Sequence, residues 1–190
     1  MAETYLALLR AINVGRNNKI LMSDLANVFV GVGCNNVRTY IQSGNVIFEG
    51  APELSQRLPV LVRAEIEGRF GLQVPTILRA LREMREVVNR NPFLEEGGET
   101  DVLHVLFLAD RPKAAAVVSL DPDRSPPNRF VVHGKEVYLF FPIGFARNKL
   151  SGAYFDSKLE TAGTMRNWRT VTKLLELMEQ ASAGSQAGPA

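Results

Sequence analysis

Tyr5-Leu-Ala-Leu-Leu9, then Arg10-Ala-Ile-Asn-Val-Gly-Arg-Asn-Asn-Lys19, and beyond them Arg38-Thr-Tyr-Ile-Gln-Ser-Gly-Asn-Val-Ile-Phe48 are the segments that decide the fold. The first is apolar at every position and reads as a buried strand. The second is a polar, cationic loop. Ser23 offers an N-cap oxygen to a helix carrying Leu25, Val28, Phe29 and Val32, with Gly33 near its end. Val37, Thr39 and Ile41 alternate with Arg38 and Tyr40, the period of a strand. Ser43-Gly-Asn45 supplies the glycine of a hairpin turn, and Val46-Ile-Phe48 returns. A second helix over Glu53–Phe70 places Leu54, Leu58, Leu61, Val62 and Ile66 at helical spacing. Pro59 predicts a start or a kink there. Gly71 stops it, and Val74–Leu78 reads as a fourth strand. The order β-α-β-β-α-β is the ferredoxin-like unit, here over residues 4–79. Right-handed crossovers put both helices on one face of an antiparallel sheet. The other face must be covered or must bind something.

Downstream, residues 81–90 read as helix and the polar stretch 91–100 as a boundary. Val102–Leu108 is apolar on both faces and reads as a central strand. Arg111–Leu120 reads as a short helix opening at Pro112. Phe130–Val132 and Val137–Phe141 flank His133-Gly-Lys135 as a second hairpin, and helices are expected over about 149–159 and 166–180. The second half is thus a degenerate version of the first, with its last strand replaced by a helix. The fold class is α+β: two related ferredoxin-like halves, antiparallel sheets with helices on one face, and an extra C-terminal helix. The expected domains are 1–80 and 81–180, followed by a disordered tail over 181–190. Gly15-Arg-Asn-Asn-Lys-Ile-Leu21 and Gly144-Phe-Ala-Arg-Asn-Lys-Leu150 read as an internal echo, each a cationic loop ahead of a helix.

Of the 190 residues, 46% are hydrophobic and 22% charged, the composition of an ordinary globular protein. The net charge of +2 does not by itself imply nucleic acid. Charge is uneven: residues 81–101 carry three Arg against six acids, and 127–173 carry eight Lys or Arg against three acids. Cys34 is the single cysteine, so there is no disulfide framework and no thiolate metal site. It reads as a small buried hydrophobe. With neither a signal-peptide pattern nor a membrane-length apolar run, the expected location is cytoplasmic, away from any membrane.

The 10–19 loop carries the parts of an anion site: Arg10, Arg16 and Lys19 as charges, Asn13 as an amide, and a following helix N-terminus. It has neither the second glycine of a dinucleotide fingerprint nor the Lys-Ser/Thr of a P-loop. The alternative is a polar surface turn using Gly15 for its geometry. Arg147 and Lys149 repeat the pattern. In the helix expected after Thr164, Trp168, Val171, Leu174, Leu175 and Met178 share a core face, opposite Arg166, Arg169 and Lys173. Trp168 reads as a core anchor. Tyr40, Ser43 and His104 are the candidates for acid–base work; His104 lies mid-strand and reads as a core histidine, His133 as exposed in a turn. Glu95, Glu96, Glu99 and Asp101 read as a solvated acidic stretch. Tyr5, Tyr40 and Phe48 are a poor substitute for the base-stacking aromatics of an RNA-recognition sheet. No spacing suggests a metal, and no cofactor is expected.

Leu8-Leu-Arg-Ala-Ile-Asn-Val-Gly15, Val37-Arg-Thr-Tyr-Ile-Gln-Ser-Gly-Asn-Val-Ile-Phe48, Arg147-Asn-Lys-Leu150 and Thr164-Met-Arg-Asn-Trp-Arg-Thr-Val-Thr-Lys-Leu174 resemble the bacterial family called domain of unknown function 1697. Relative to that family's usual pattern, Ala11 and Arg16 stand in place of two glycines and Asn148 in place of a serine. The resemblance implies two related ferredoxin-like halves and no activity, cofactor or catalytic residue.

The functional expectation is a small phosphorylated or carboxylated ligand held in a cationic cleft between the halves. Its binding residues would be Arg10, Asn13, Arg16, Lys19, Gln42, Ser43, Asn45, Arg147, Lys149, Arg166 and Arg169. The alternatives are an enzyme using the same cleft, and a homodimer or other protein-interaction module. Nucleic acid is a weaker expectation for a partner, and a membrane is not expected.

Overall fold

A computed structural model describes residues 2–15, 18–94, 100–145 and 148–186. The chain divides into two compact units, residues 1–85 with 173–190, and residues 86–172. The first contains β1 (Glu3–Leu9), α1 (Met22–Gly31), β2 (Asn35–Tyr40), β3 (Asn45–Gly50), α2 (Pro52–Phe70), β4 (Thr76–Ala80) and the start of α3 (Leu81–Asn89). The second contains β5 (Leu103–Leu108), α4 (Ala114–Val118), β6 (Arg129–His133), β7 (Glu136–Phe140), α5 (Gly152–Leu159), β8 (Gly163–Asn167) and the start of α6 (Trp168–Gln186). The sheets have the orders β2-β3-β1-β4 and β6-β7-β5-β8, with every neighbouring pair antiparallel. These are the same ferredoxin-like topology twice.

In the first unit Tyr5, Ala7 and Leu9 alternate onto the face that packs Leu25, Val28 and Phe29 of α1 and Leu58, Val62 and Ile66 of α2. Leu6 and Leu8 point the other way and are equally buried, which is why β1 shows no polar alternation. The far part of α6 belongs to this unit: Ser185 Oγ donates to Glu49 Oε1, and Arg85 pairs with Glu179 at 2.9 Å. In the second unit Leu106, Leu108, Val137, Leu139 and Phe141 pack on Tyr154, Phe155 and Leu159 of α5. On the opposite face, the Tyr138 hydroxyl donates to the Val87 carbonyl at 3.0 Å, and Phe140 stacks on Phe93 at 5.6 Å.

Several expectations are corrected. The second half does not lose its last strand. Gly163–Asn167 forms β8, paired with β5, and α6 starts only at Trp168. The strand was hidden because its buried side chains include Thr164 and Arg166 rather than an apolar alternation. Gly163 lets it approach β5: a Cβ there would lie 2.9 Å from Leu106 Cδ1. Ser23 lies inside α1, whose N-cap is Leu21 with no side-chain cap. Asn13 binds both backbone groups of Ile20 and so fixes where the chain enters the helix. α2 begins at Pro52 and runs through Pro59. Burial of Leu58, Val62 and Ile66 offsets the ~3 kcal/mol that an interior proline costs. The short helix α4 opens at Ala114, after Lys113, not at Pro112. α6 continues to Gln186, so residues 181–186 are helical where a disordered tail was expected. Ala181 is buried there, which holds a segment without apolar periodicity in the helix.

The proposed echo is not the repeat. The Gly15 loop links β1 to α1, whereas the Gly144 loop links β7 to α5. The topological partner of β1–α1 is β5–α4. Where the repeat does show at residue level is in two buried arginines. Arg79 on β4 stands opposite Leu6, and Arg166 on β8 stands opposite Val105. They are 1% and 9% exposed, and each donates Nη1 to the carbonyl of the preceding residue, Leu78 at 2.7 Å and Met165 at 2.9 Å.

Candidate anion-binding site

The loop after β1 is built on left-handed backbone: φ is 53° at Ala11, 55° at Asn13, 60° at Gly15 and 51° at Asn18. Glycine and asparagine suit this region, whereas a Cβ without a local hydrogen bond is strained in it. The Asn13 N–H donates to Asn18 O at 3.0 Å, and Asn18 Nδ2 donates to Ala11 O at 3.1 Å. Asn13 then ties three segments together. Its Oδ1 accepts from Ile20 N at 2.9 Å; its Nδ2 donates to Ile20 O at 2.9 Å and to Gln42 O at 3.0 Å.

The hairpin turn meets this loop. The Leu9 N–H donates to Gly44 O at 2.8 Å. Gly44 has φ 76°, and a Cβ on it would lie 2.8 Å from both Leu9 Cβ and Ile12 Cδ1. Asn45, fully buried, donates Nδ2 to Tyr40 O at 3.0 Å and to Ser43 Oγ at 2.9 Å. The loop and turn together leave a surface hollow of about 360 Å³, lined by Asn13, Lys19, Ile20, Leu21, Met22 and Gln42.

Arg10, Asn13, Lys19, Gln42, Ser43 and Asn45 therefore fall in one loop cluster of the first unit, and three of them line the hollow. Asn13 and Asn45 are committed to backbone and turn. Lys19 and Gln42 make no side-chain hydrogen bond among the described residues. Asp24 already lies in the first turn of α1, so the helix dipole is matched from within the chain. In the second unit Lys149 is held through its backbone, its N–H donating to Ser125 Oγ at 3.0 Å and its carbonyl accepting from Arg124 Nε at 3.1 Å. Arg169 is exposed on α6. Arg166 is a strand residue rather than part of a helical basic stripe; burial lowers its pKa to about 10, and its Nη1 also donates to Thr164 Oγ1 at 2.8 Å. Arg16, Arg147, Glu95, Glu96 and Glu99 lie outside the described residues.

At the other end of β1 is a larger hollow of about 1040 Å³, whose lining includes Glu3, Glu49, Arg82, Arg85 and Ser185. Glu49 is a buried carboxylate that also accepts from Asn36 Nδ2 at 2.7 Å. Glu49 is not among the residues expected to bind a ligand. The only available signal was an acid in the otherwise apolar Val46-Ile-Phe-Glu-Gly50 run.

The remaining chemical candidates are restrained by packing. Desolvation pushes the Cys34 thiol up to about 12, so it is an unreactive core residue. His104 sits against Phe141 and Phe145 at 5.2 and 5.4 Å, and its Nδ1 has no partner among the described residues. Burial lowers its pKa, against a smaller opposing pull from the Val102 backbone. A histidine depressed in the folded state favours the neutral form there, so the unfolded chain binds more protons as pH falls. Stability from this group is complete above the unfolded value of ~6.5 and is lost on acidification toward the lower folded value. Thermal unfolding between pH 7.5 and 5 should show that loss, and His104→Gln should reduce it; an unchanged pH slope in the variant would refute the assignment.

On the face of the first sheet away from α1 and α2, Leu6, Leu8, Ile47 and Ile77 are buried. An open base-stacking platform of the RNA-recognition type is therefore absent there. No helix among the described residues is long and apolar enough to cross a membrane, and no cluster of His, Cys, Asp and Glu among them could hold a metal ion.

Two four-stranded sheets of identical order, each with its own helices, define a duplicated ferredoxin-like α+β protein. The chain belongs to the family DUF1697, described as a protein of unknown function, which matches residues 2–138. The conserved bacterial protein SP0830 from Streptococcus pneumoniae is similar in structure, with a TM-score of 0.69 at 19% identity over 94% of this chain and 99% of that one. At that identity the likeness establishes the fold alone. No curated protein matches the sequence significantly.

Proposed function

We propose that this protein binds a small phosphorylated or carboxylated ligand at the hollow between the 10–20 loop and the 40–45 turn. The observation that carries the reading is the hollow's lining: Lys19 and Gln42 keep their side-chain donors, while Asn13 holds the walls in place. A charge-assisted contact is roughly twice as strong as a neutral one, and Gln42 adds an amide donor. Because Lys19 is exposed, its contribution is screened by salt.

A thermal-shift screen with AMP, glucose 6-phosphate and simple carboxylates, followed by titration calorimetry, tests the reading. At least one anion should stabilise the protein, its affinity should fall as salt rises, and Lys19→Ala should weaken it about tenfold. If no anion shifts the midpoint, the reading fails.

A further inference from the structure

The hollow's lining carries apolar side chains beside Lys19: Ile20, Leu21 and Met22, of which Leu21 is 70% exposed to solvent. Leu21 adjoins Ile20, whose N–H and carbonyl are both held by the Asn13 side chain. The same amide that builds the hollow thus sets an apolar rim beside Lys19. A bare inorganic anion would use Lys19 and Gln42 and leave this rim in water.

Resting on the anion-binding reading, we propose that the ligand is amphipathic: an anionic phosphate or carboxylate group carrying an apolar chain. The charge meets Lys19 and Gln42, and the chain covers Leu21 and Met22. Charge complementarity separates this occupant from a neutral apolar one, and the hollow's size falls in the usual range for small-molecule sites.

Calorimetric titration with inorganic phosphate, butyl phosphate and octyl phosphate, all below micelle-forming concentrations, tests the proposal. Octyl phosphate should bind at least tenfold more tightly than butyl phosphate, since a fully buried methylene contributes ~4-fold and this rim is only partly enclosing. Leu21→Ser should flatten that chain-length dependence. Val118→Ser, which alters an exposed apolar residue of α4 in the second unit, should not. Equal affinity for the butyl and octyl esters overturns the amphipathic assignment while leaving anion binding standing. Octyltrimethylammonium binding as tightly as octyl phosphate removes both. A concentration-dependent dimer, abolished by Leu21→Ser and unaffected by octyl phosphate, gives the rim to a second copy of the chain and overturns the proposal.

Discussion

Gly44→Ala should cost about 2–5 kcal/mol, the sum of ~1–2 for forcing an L-residue into left-handed backbone and ~1–3 for overpacking. The added methyl has nowhere to go. It would meet Leu9 Cβ, fixed on a central strand, and Ile12, a core residue. Leu9 Cβ is fixed by the backbone, and Ile12 Cδ1, although a side-chain end, is packed in the core. The turn would have to move, breaking the Leu9 N–H to Gly44 carbonyl bond at 2.8 Å. Gly68→Ala is the matched control: Gly68 lies inside α2 with open space around it, so alanine there should stabilise by roughly 0.5–1 kcal/mol. Urea unfolding of the two variants should therefore move in opposite directions. Equal shifts would show that the contact at Gly44 is not what requires a glycine.

Asn13→Ala should cost about 2–4 kcal/mol, because it strands one donor and two acceptors rather than one pair. The Ile20 N–H and carbonyl are only partly accessible to replacement water, whereas the Gln42 carbonyl is exposed. Most of the loss should therefore come from the Ile20 side. Alanine also inherits φ 55° without the polar side chain that makes this region tolerable to asparagine. Asn13→Asp is the discriminating variant: it keeps the acceptor for Ile20 N–H but sets a carboxylate against two carbonyl oxygens. Amide exchange at Ile20 should accelerate strongly in the alanine variant and less in the aspartate. Protection unchanged in Asn13→Ala would mean the side chain does not hold the loop.

Both outcomes bear on how the family-like segments should be read. Asn13 and Asn45 looked like ligand residues because they are polar and lie in or beside loops. The structure uses Asn13 and Asn45 to satisfy backbone groups, and it uses Gly44 to let a hairpin turn approach a strand. Arg166-Asn-Trp168 is similar: the arginine is buried on β8, Asn167 Oδ1 accepts from Thr170 N at 2.8 Å at the start of α6, and Trp168 is core. A polar residue in a loop has the same appearance in sequence whether its partner is a ligand or a carbonyl thirty residues away. What distinguishes the cases is the partner, and that is a tertiary fact.

Hydrophobic periodicity and the glycine of the first hairpin were enough to specify the first unit's topology, because those elements are amphipathic and their patterns are local. The Cys34 and Trp168 assignments were legible for the same reason: small or aromatic apolar residues set among other apolar ones are buried. β8 was not legible, since a strand whose buried residues include Thr164 and Arg166 carries no apolar period. The site was legible only as a set of cationic and amide residue types near residue 15. Only folding determined that Asn13 closes the loop, that Lys19 and Gln42 keep their donors, and that Leu21 comes to stand beside them. The physical reason is that local pattern records which face of an element is apolar, whereas a hydrogen bond between residues 13 and 42 exists only after two strands and a helix have brought them together.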